Sequence, residues 1–288
     1  MAAVENVSDT AFWVAHYRAR ESARPDALFH DPLAERLSGT HGDAIARAIP
    51  GGVMTGWIVS LRTIIIDDFL RYAIGQGVDL ILNLGAGLDT RPYRLDALDQ
   101  KVTWVEVDYP AMIAYKEKQL ASETPRCRLE RVKLDLADPV ARRSFLAGMN
   151  ARSKNILVLT EGVLPYLSNE AVGALADDLH RQSNVRFWIA DYMSSQALRF
   201  RRRFSRRHLR NAAFKFAPDD WFAFFDSRGW QCSDMHYYLE EATKVHRPLH
   251  LPLPFRIMMF LRWLASTPAQ RKQAGKFAGF ALLVPKVA

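Results

Sequence analysis

The feature that most constrains this chain is an alternation that begins at Val78, where short apolar runs start to take turns with segments of helical length. The runs at 78–84, 102–108, 128–134, 155–160, 185–191, 230–238 and 277–284 read as strands. The stretches near 91–98, 110–121, 139–148, 169–182, 194–211, 218–228 and 255–265 read as helices. Strands that are apolar along their whole length need cover on both faces, so the alternation predicts an α/β, doubly wound, mostly parallel sheet. The 288 residues are 49% hydrophobic and 24% charged, enough apolar surface for a core of that kind.

The front of the chain reads as helical. Ser8, Asp9 and Thr10 precede a periodic run from Ala11 to Arg20, and Asp31-Pro32 opens a short helix that should stop at Gly39. Trp57, Ile58, Leu61, Ile65, Phe69 and Tyr72 recur at helical steps and predict a long amphipathic helix ending near Gly75 and Gly77. These boundaries describe one domain over 1–288: a helical region 1–77, a sheet core 78–192 and 230–288, and a cap insert of about 194–228.

Charge and cysteine use narrow the function classes. The net charge of +8 is local, because Arg199 to Lys215 holds seven arginines, one lysine and no acid, and the other 271 residues sum to zero. A nucleic-acid binder would carry a broader basic field. Glu5 and Asp9 stand where a signal peptide wants cations, and the apolar stretch 255–264 is broken by Arg256 and Arg262, so neither secretion nor a membrane span is expected. Two cysteines, Cys127 and Cys232, are too few for a disulfide scaffold and lack the paired spacing of a zinc site, which suits a reducing cytoplasm. His246 and His250 are separated by Pro248 and have no third ligand nearby, so no metal site is expected.

The chemistry concentrates at the ends of the strands. In NLGAGLDTRPYRL, Gly85 and Gly87 follow the first strand, where a tight turn lets backbone approach a ligand; Thr90 stands where the dinucleotide pattern has its third glycine. Taken alone, the pair is weak evidence, and a plain strand-to-helix turn is the alternative reading. The next strand ends in Glu106 and Asp108, two competitors for ribose hydroxyls, since both project to the same face of an ideal strand. The third ends in Asp135 and Leu136, an acid and an apolar neighbour suited to an adenine's amino group and face, and the fourth ends in LTEGVLPYL with Glu161. Four consecutive strands thus deliver polar groups to one edge of the sheet, the edge at which open α/β sheets bind ligands.

NLGAGLDTRPYRL, VEVDYPAMIAYK, LDLAD and LTEGVLPYL, with the upstream DALFHDPLAERL, resemble the leucine carboxyl methyltransferase family of S-adenosylmethionine-dependent methyltransferases, its bacterial branch included. The resemblance runs from about Thr10 to Tyr192 and more loosely to the end. It implies a seven-stranded class I sheet whose last strand, KFAGFALLVPK, is antiparallel. It also implies S-adenosylmethionine contacts from Gly85, Asp108, Asp135, Leu136 and Glu161, with Arg62 on the cofactor's carboxylate and a second cation at Arg18 or Arg20. Tyr166 is placed to touch the acceptor.

The implied reaction is methyl transfer to an oxygen of a small, possibly anionic molecule, a carboxylate or an acidic hydroxyl; an ionised carboxylate needs no general base. Two other readings stay open at this point. One is a nicotinamide-dependent oxidoreductase, against which Thr90 and the lack of a hydride-transfer set count. The other is a non-catalytic module that binds an anionic partner through the arginine-rich segment.

Overall fold

The computed structural model describes residues 7–199, 213–250, 253–254, 257, 264 and 267–286. Three helices come first: α1 (Asp9–Ser22), α2 (Ala34–Ala48) and α3 (Gly52–Gly75). The alternation then runs β1 (Leu80–Leu84), α4 (Arg91–Arg94), β2 (Thr103–Asp108), α5 (Pro110–Gln119), β3 (Arg128–Lys133), α6 (Pro139–Arg152), β4 (Ile156–Thr160), α7 (Asn169–His180) and β5 (Val185–Met193), with a 3₁₀ turn at Leu164–Tyr166. It closes with α8 (Trp221–Asp226), β6 (Trp230–Tyr237), α9 (Tyr238–Lys244), α10 (Pro268–Gly275) and β7 (Ala278–Pro285).

The seven strands form one sheet in the order β3-β2-β1-β4-β5-β7-β6. Neighbours from β3 to β5 are parallel, whereas β7 runs antiparallel to both β5 and β6. This is the class I methyltransferase arrangement, an α/β sheet with helices before it. The order reverses at β1, which lies between β2 and β4, and that reversal opens a crevice at the carboxyl ends of the two strands.

Period-two alternation sorts the strand side chains into two cores. Leu80, Leu82 and Leu84 pack with Val158, Trp188 and Leu175 on one face, while Ile81 packs with Leu157, Ile189 and the α3 residues Leu61 and Ile65 on the other. The edge strand β3 is charged along its length, with Arg128, Glu130, Arg131 and Lys133, which blunts edge pairing.

Several expectations change in the folded chain. Gly39 does break the second helix, with φ 51° and ψ −161°, but the chain resumes helical geometry as far as Ala48. Asp31 caps nothing: its carboxylate accepts from Arg18 Nε at 2.8 Å and from Thr90 Oγ1 at 2.6 Å. Ser8 makes no side-chain cap either. The helix expected over 91–98 is one turn long, and α9 begins where the sixth strand was expected to continue. By contrast, Asp138 and Ser168 do cap α6 and α7, each side chain accepting from backbone N–H groups of the first turn. Of the expected helices at 194–211 and 255–265, residues 195–199 are helical, and the arginine-rich stretch beyond Arg199 as well as most of 255–265 lie outside the described residues. No helix among the described residues is long and apolar enough to cross a membrane.

Candidate functional site

A cavity of about 680 Å³ opens over the carboxyl ends of β1 to β5. Gly85 and Gly87 line it from the turn after β1, with φ of 72° and 47°. A Cβ on Gly85 would lie 2.5 Å from Val163 Cγ2, so this position requires glycine on two counts, conformation and space. The Gly85 N–H is used by Val107 O at 2.8 Å, which fixes the turn against β2.

The two acids of β2 part company. Asp108 lines the cavity; it accepts from the Gly87 N–H at 2.7 Å and from the Tyr109 N–H at 2.7 Å. Burial raises its carboxyl above the usual range, and the two backbone donors moderate that rise. Glu106 lies off the cavity and is fully buried; Lys116 Nζ at 2.6 Å and Arg131 Nε at 2.8 Å take its two oxygens. Glu106 is therefore corrected from a ribose acceptor to the centre of an ion-pair cluster tying α5 and β3 to β2. The face shared by two strand positions did not decide, because only the terminal residue escapes the cover of α5.

Asp135 and Leu136 reach the cavity from the turn after β3. Asp135 accepts from the Ala137 N–H at 2.9 Å, and the Leu136 carbonyl accepts from Arg142 at 2.7 Å. Glu161, at the end of β4, accepts from Arg91 Nη1 at 2.6 Å and stands 2.7 Å from Arg62 Nε. Burial alone would raise the Glu161 carboxyl, but Arg91 and Arg62 more than offset it and hold it below the usual range. Arg62 and Glu161 thus form a buried ion pair in the cavity wall. Tyr166 lines the cavity from the 3₁₀ turn, its ring 5.3 Å from that of Phe214.

The two candidates for the N-terminal cation stand in different places. Arg18 lines the cavity and is buried, bonded to Asp31 and to the Leu88 carbonyl, while Arg20 is exposed. Through Arg18 and Thr90, Asp31 fastens α1 to the segment after the glycine turn, so Thr90 serves as an anchor where other sheets have a third glycine.

Sequence reasoning missed two groups. Arg91 is almost wholly buried and pairs at once with Asp67, Asp89 and Glu161, and Asp67 also binds Arg94. Its signal was present as Asp67, an acid inside the apolar run Ile64 to Phe69. The second is Asp191, an acid ending the apolar fifth strand just as Glu161 ends the fourth, and it too lines the cavity.

The cavity suits S-adenosylmethionine. Its glycine turn has no room for a Cβ, two acids keep acceptor capacity at the ends of adjacent strands, and the buried Arg62–Glu161 ion pair stands in its wall. The leucine carboxyl methyltransferase family model matches residues 11–180, more than half of the chain. The chain belongs to this family. A protein of Streptomyces coelicolor, named as an S-adenosyl-L-methionine-dependent methyltransferase, is 30% identical over 256 residues, 83% of this chain and 88% of that one. A protein of the same name from Parafrankia sp. (strain EAN1pec) is 37% identical over 187 residues, 62% of this chain; there the match spans 60% of the relative's length. Among solved structures, one named as a methyltransferase from Thermobifida fusca YX superposes with a TM-score of 0.59 at 15% identity, covering 99% of this chain and 96% of that one, a likeness of fold. The leucine carboxyl methyltransferase fold thus accounts for the sheet order and for the edge at which the cavity opens.

Proposed function

We propose that this chain is an S-adenosylmethionine-dependent methyltransferase acting on an oxygen of a small molecule, a carboxylate or an acidic hydroxyl. The observation that carries the reading is convergence: one cavity collects the glycine turn, Asp108, Asp135 and the Arg62–Glu161 pair from five separate segments of chain. In this assignment Gly85 and Gly87 bring backbone against the cofactor, Asp108 receives ribose hydroxyls, and Asp135 with Leu136 receives the adenine. Arg62 and Arg18 face the cofactor's carboxylate and Glu161 its amino group, a charge-assisted arrangement that holds both ends of the methionine portion. When bound, the cofactor supplies an electrophilic methyl group on a sulfonium.

The chain's own work is alignment and exclusion of water. A near-attack geometry fixed by the cavity walls serves such a displacement, and an ionised acceptor requires no acid or base. The apolar sector around Tyr166, Phe214, Tyr192 and Met193 is left for the acceptor, with Tyr166 as a positioning contact.

Thermal unfolding tests the reading. S-adenosylhomocysteine at a hundredfold excess over Kd should stabilise the native protein by about 2.7 kcal/mol, and NAD should leave the transition where it is. Stabilisation by NAD alone would replace the methyltransferase with a nicotinamide enzyme.

A further inference from the structure

Asp191 is the one acid of the five strand ends to which the cofactor assignment gives no task. It lines the cavity at the end of β5, where its carboxylate accepts from the Gly162 N–H at 3.0 and 3.3 Å. Among the described residues no ion pair reaches it, since the nearby Arg62 turns its Nε to Glu161. The backbone around it is fixed independently, because the Trp221 Nε1–H of α8 donates to the Asp191 carbonyl at 3.1 Å and β7 places Phe280 opposite. Asp191 therefore shares one cavity with the Arg62–Glu161 pair, assigned to the methionine portion, and with the apolar residues Tyr166, Tyr192, Met193, Phe214 and Phe277.

We propose that Asp191 is a catalytic residue, the proton acceptor for a neutral hydroxyl carried on an aromatic ring that this site methylates. The inference deepens the methyltransferase reading and rests on it. Aromatic side chains make up most of the acceptor sector, which suits a ring. The cations Arg62 and Lys215 line the same cavity, so charge alone does not choose the acceptor; a neutral hydroxyl, unlike an ionised carboxylate, needs a base, and Asp191 is the lining carboxylate with no ion pair among the described residues that the cofactor assignment leaves unused. The step balances: an oxygen lone pair forms the new carbon–oxygen bond, the carbon–sulfur bond breaks with its electron pair left on sulfur, and the hydroxyl proton ends on Asp191.

The environment of Asp191 matches that task. Burial pushes its carboxyl up to about 7; Arg62 on α3 opposes the rise, Glu161 beyond β4 adds to it and the Gly162 N–H lowers it. Tyr192 beside it on β5 and Tyr238 at the start of α9 line the same cavity, and the β7 residues facing it, Ala278 to Phe280, carry no titratable group. A base that titrates near neutrality is the efficient one for a phenolic proton, ionised in use yet basic enough to accept.

The test compares wild type with Asp191→Asn, which keeps an acceptor for the Gly162 N–H, using S-adenosylhomocysteine binding, infrared spectra of the carboxyl band and methyl transfer from labelled S-adenosylmethionine to 1-naphthol, 4-nitrophenol and 1-naphthoate. Both proteins should bind S-adenosylhomocysteine within twofold. A protonated carboxyl band should fade between pH 6 and 8 in wild type and be missing from the variant. Transfer to 1-naphthol should rise with pH across the same range and fall about 10²–10⁴-fold in Asp191→Asn. 4-Nitrophenol, which is more acidic and ionises without help, should lose far less. Transfer to 1-naphthoate but not 1-naphthol, an Asp191→Asn variant with full 1-naphthol activity, or no transfer to either phenol while S-adenosylhomocysteine binds would each overturn the proposal. Failure of wild type to bind S-adenosylhomocysteine would instead remove the methyltransferase reading beneath it.

Discussion

Two aspartates three positions apart show how a side chain's task follows from what its oxygens face. Asp135 opens onto the cavity, and Asp138 spends its carboxylate on the Val140 and Ala141 N–H groups at the start of α6. Asp135→Ala should weaken S-adenosylhomocysteine binding by about 1–3 kcal/mol with the fold intact, as read by calorimetry. Asp138→Ala should lower unfolding stability by about 0.5–2 kcal/mol and leave that affinity unchanged. Asp191 adds a pH signature. Its folded carboxyl titrates near 7 against about 3.9 in an unfolded chain, so the native state binds the extra proton between those limits and wild-type stability from this group falls as pH rises through the window. Asp191→Asn removes the penalty: it should unfold about 1–3 kcal/mol later than wild type at pH 8, with the difference closing towards pH 4. An equal difference at both pH values would mean that packing, not titration, is responsible.

At the scale of elements, the turn from β1 into α4 carries the tightest tolerance. Gly85→Ala forces a side chain into a left-handed conformation and against Val163, so a loss of about 1–3 kcal/mol in stability is expected together with weaker S-adenosylhomocysteine binding. Gly148 in α6 has nothing within 4 Å of an added Cβ, and Gly148→Ala should be neutral or stabilising by up to about 1 kcal/mol. Chemical denaturation of the two variants checks both signs. The strands themselves were legible in advance because their apolar runs are continuous and bounded by turn residues; each boundary fell within about two positions of the folded one. Helix α4 was overestimated because its apolar continuation, Leu95 and Leu98, reaches the core from irregular chain.

At the scale of the molecule, a buried ion-pair network crosses the elements that surround the site. Arg91 joins α3 through Asp67, the glycine-turn segment through Asp89 and the end of β4 through Glu161. Removing one member leaves buried charge without a partner, so Arg91→Met should cost about 3–5 kcal/mol in urea unfolding and also release Glu161 from its place in the cavity. A loss below about 1 kcal/mol would mean that the network is solvated in solution.

What the sequence determined by itself was the sheet, the sheet edge at which the cavity opens, and most of the strand-end residues that line it. Those follow from local rules: strand periodicity, the turn chemistry of Gly85 and Gly87, and the placement of Asp108, Asp135 and Glu161 at strand ends. Tertiary structure alone decided which of two same-facing acids lines the cavity, since Glu106 is claimed by Lys116 and Arg131 from two other elements. It alone placed Arg18 and not Arg20 on the cavity wall, turned Asp31 from a cap into an anchor, and brought Asp191 to the same cavity. Each of these depends on partners contributed by distant segments, and a side chain's protonation and accessibility are set by what folding brings against it, which sequence spacing does not encode.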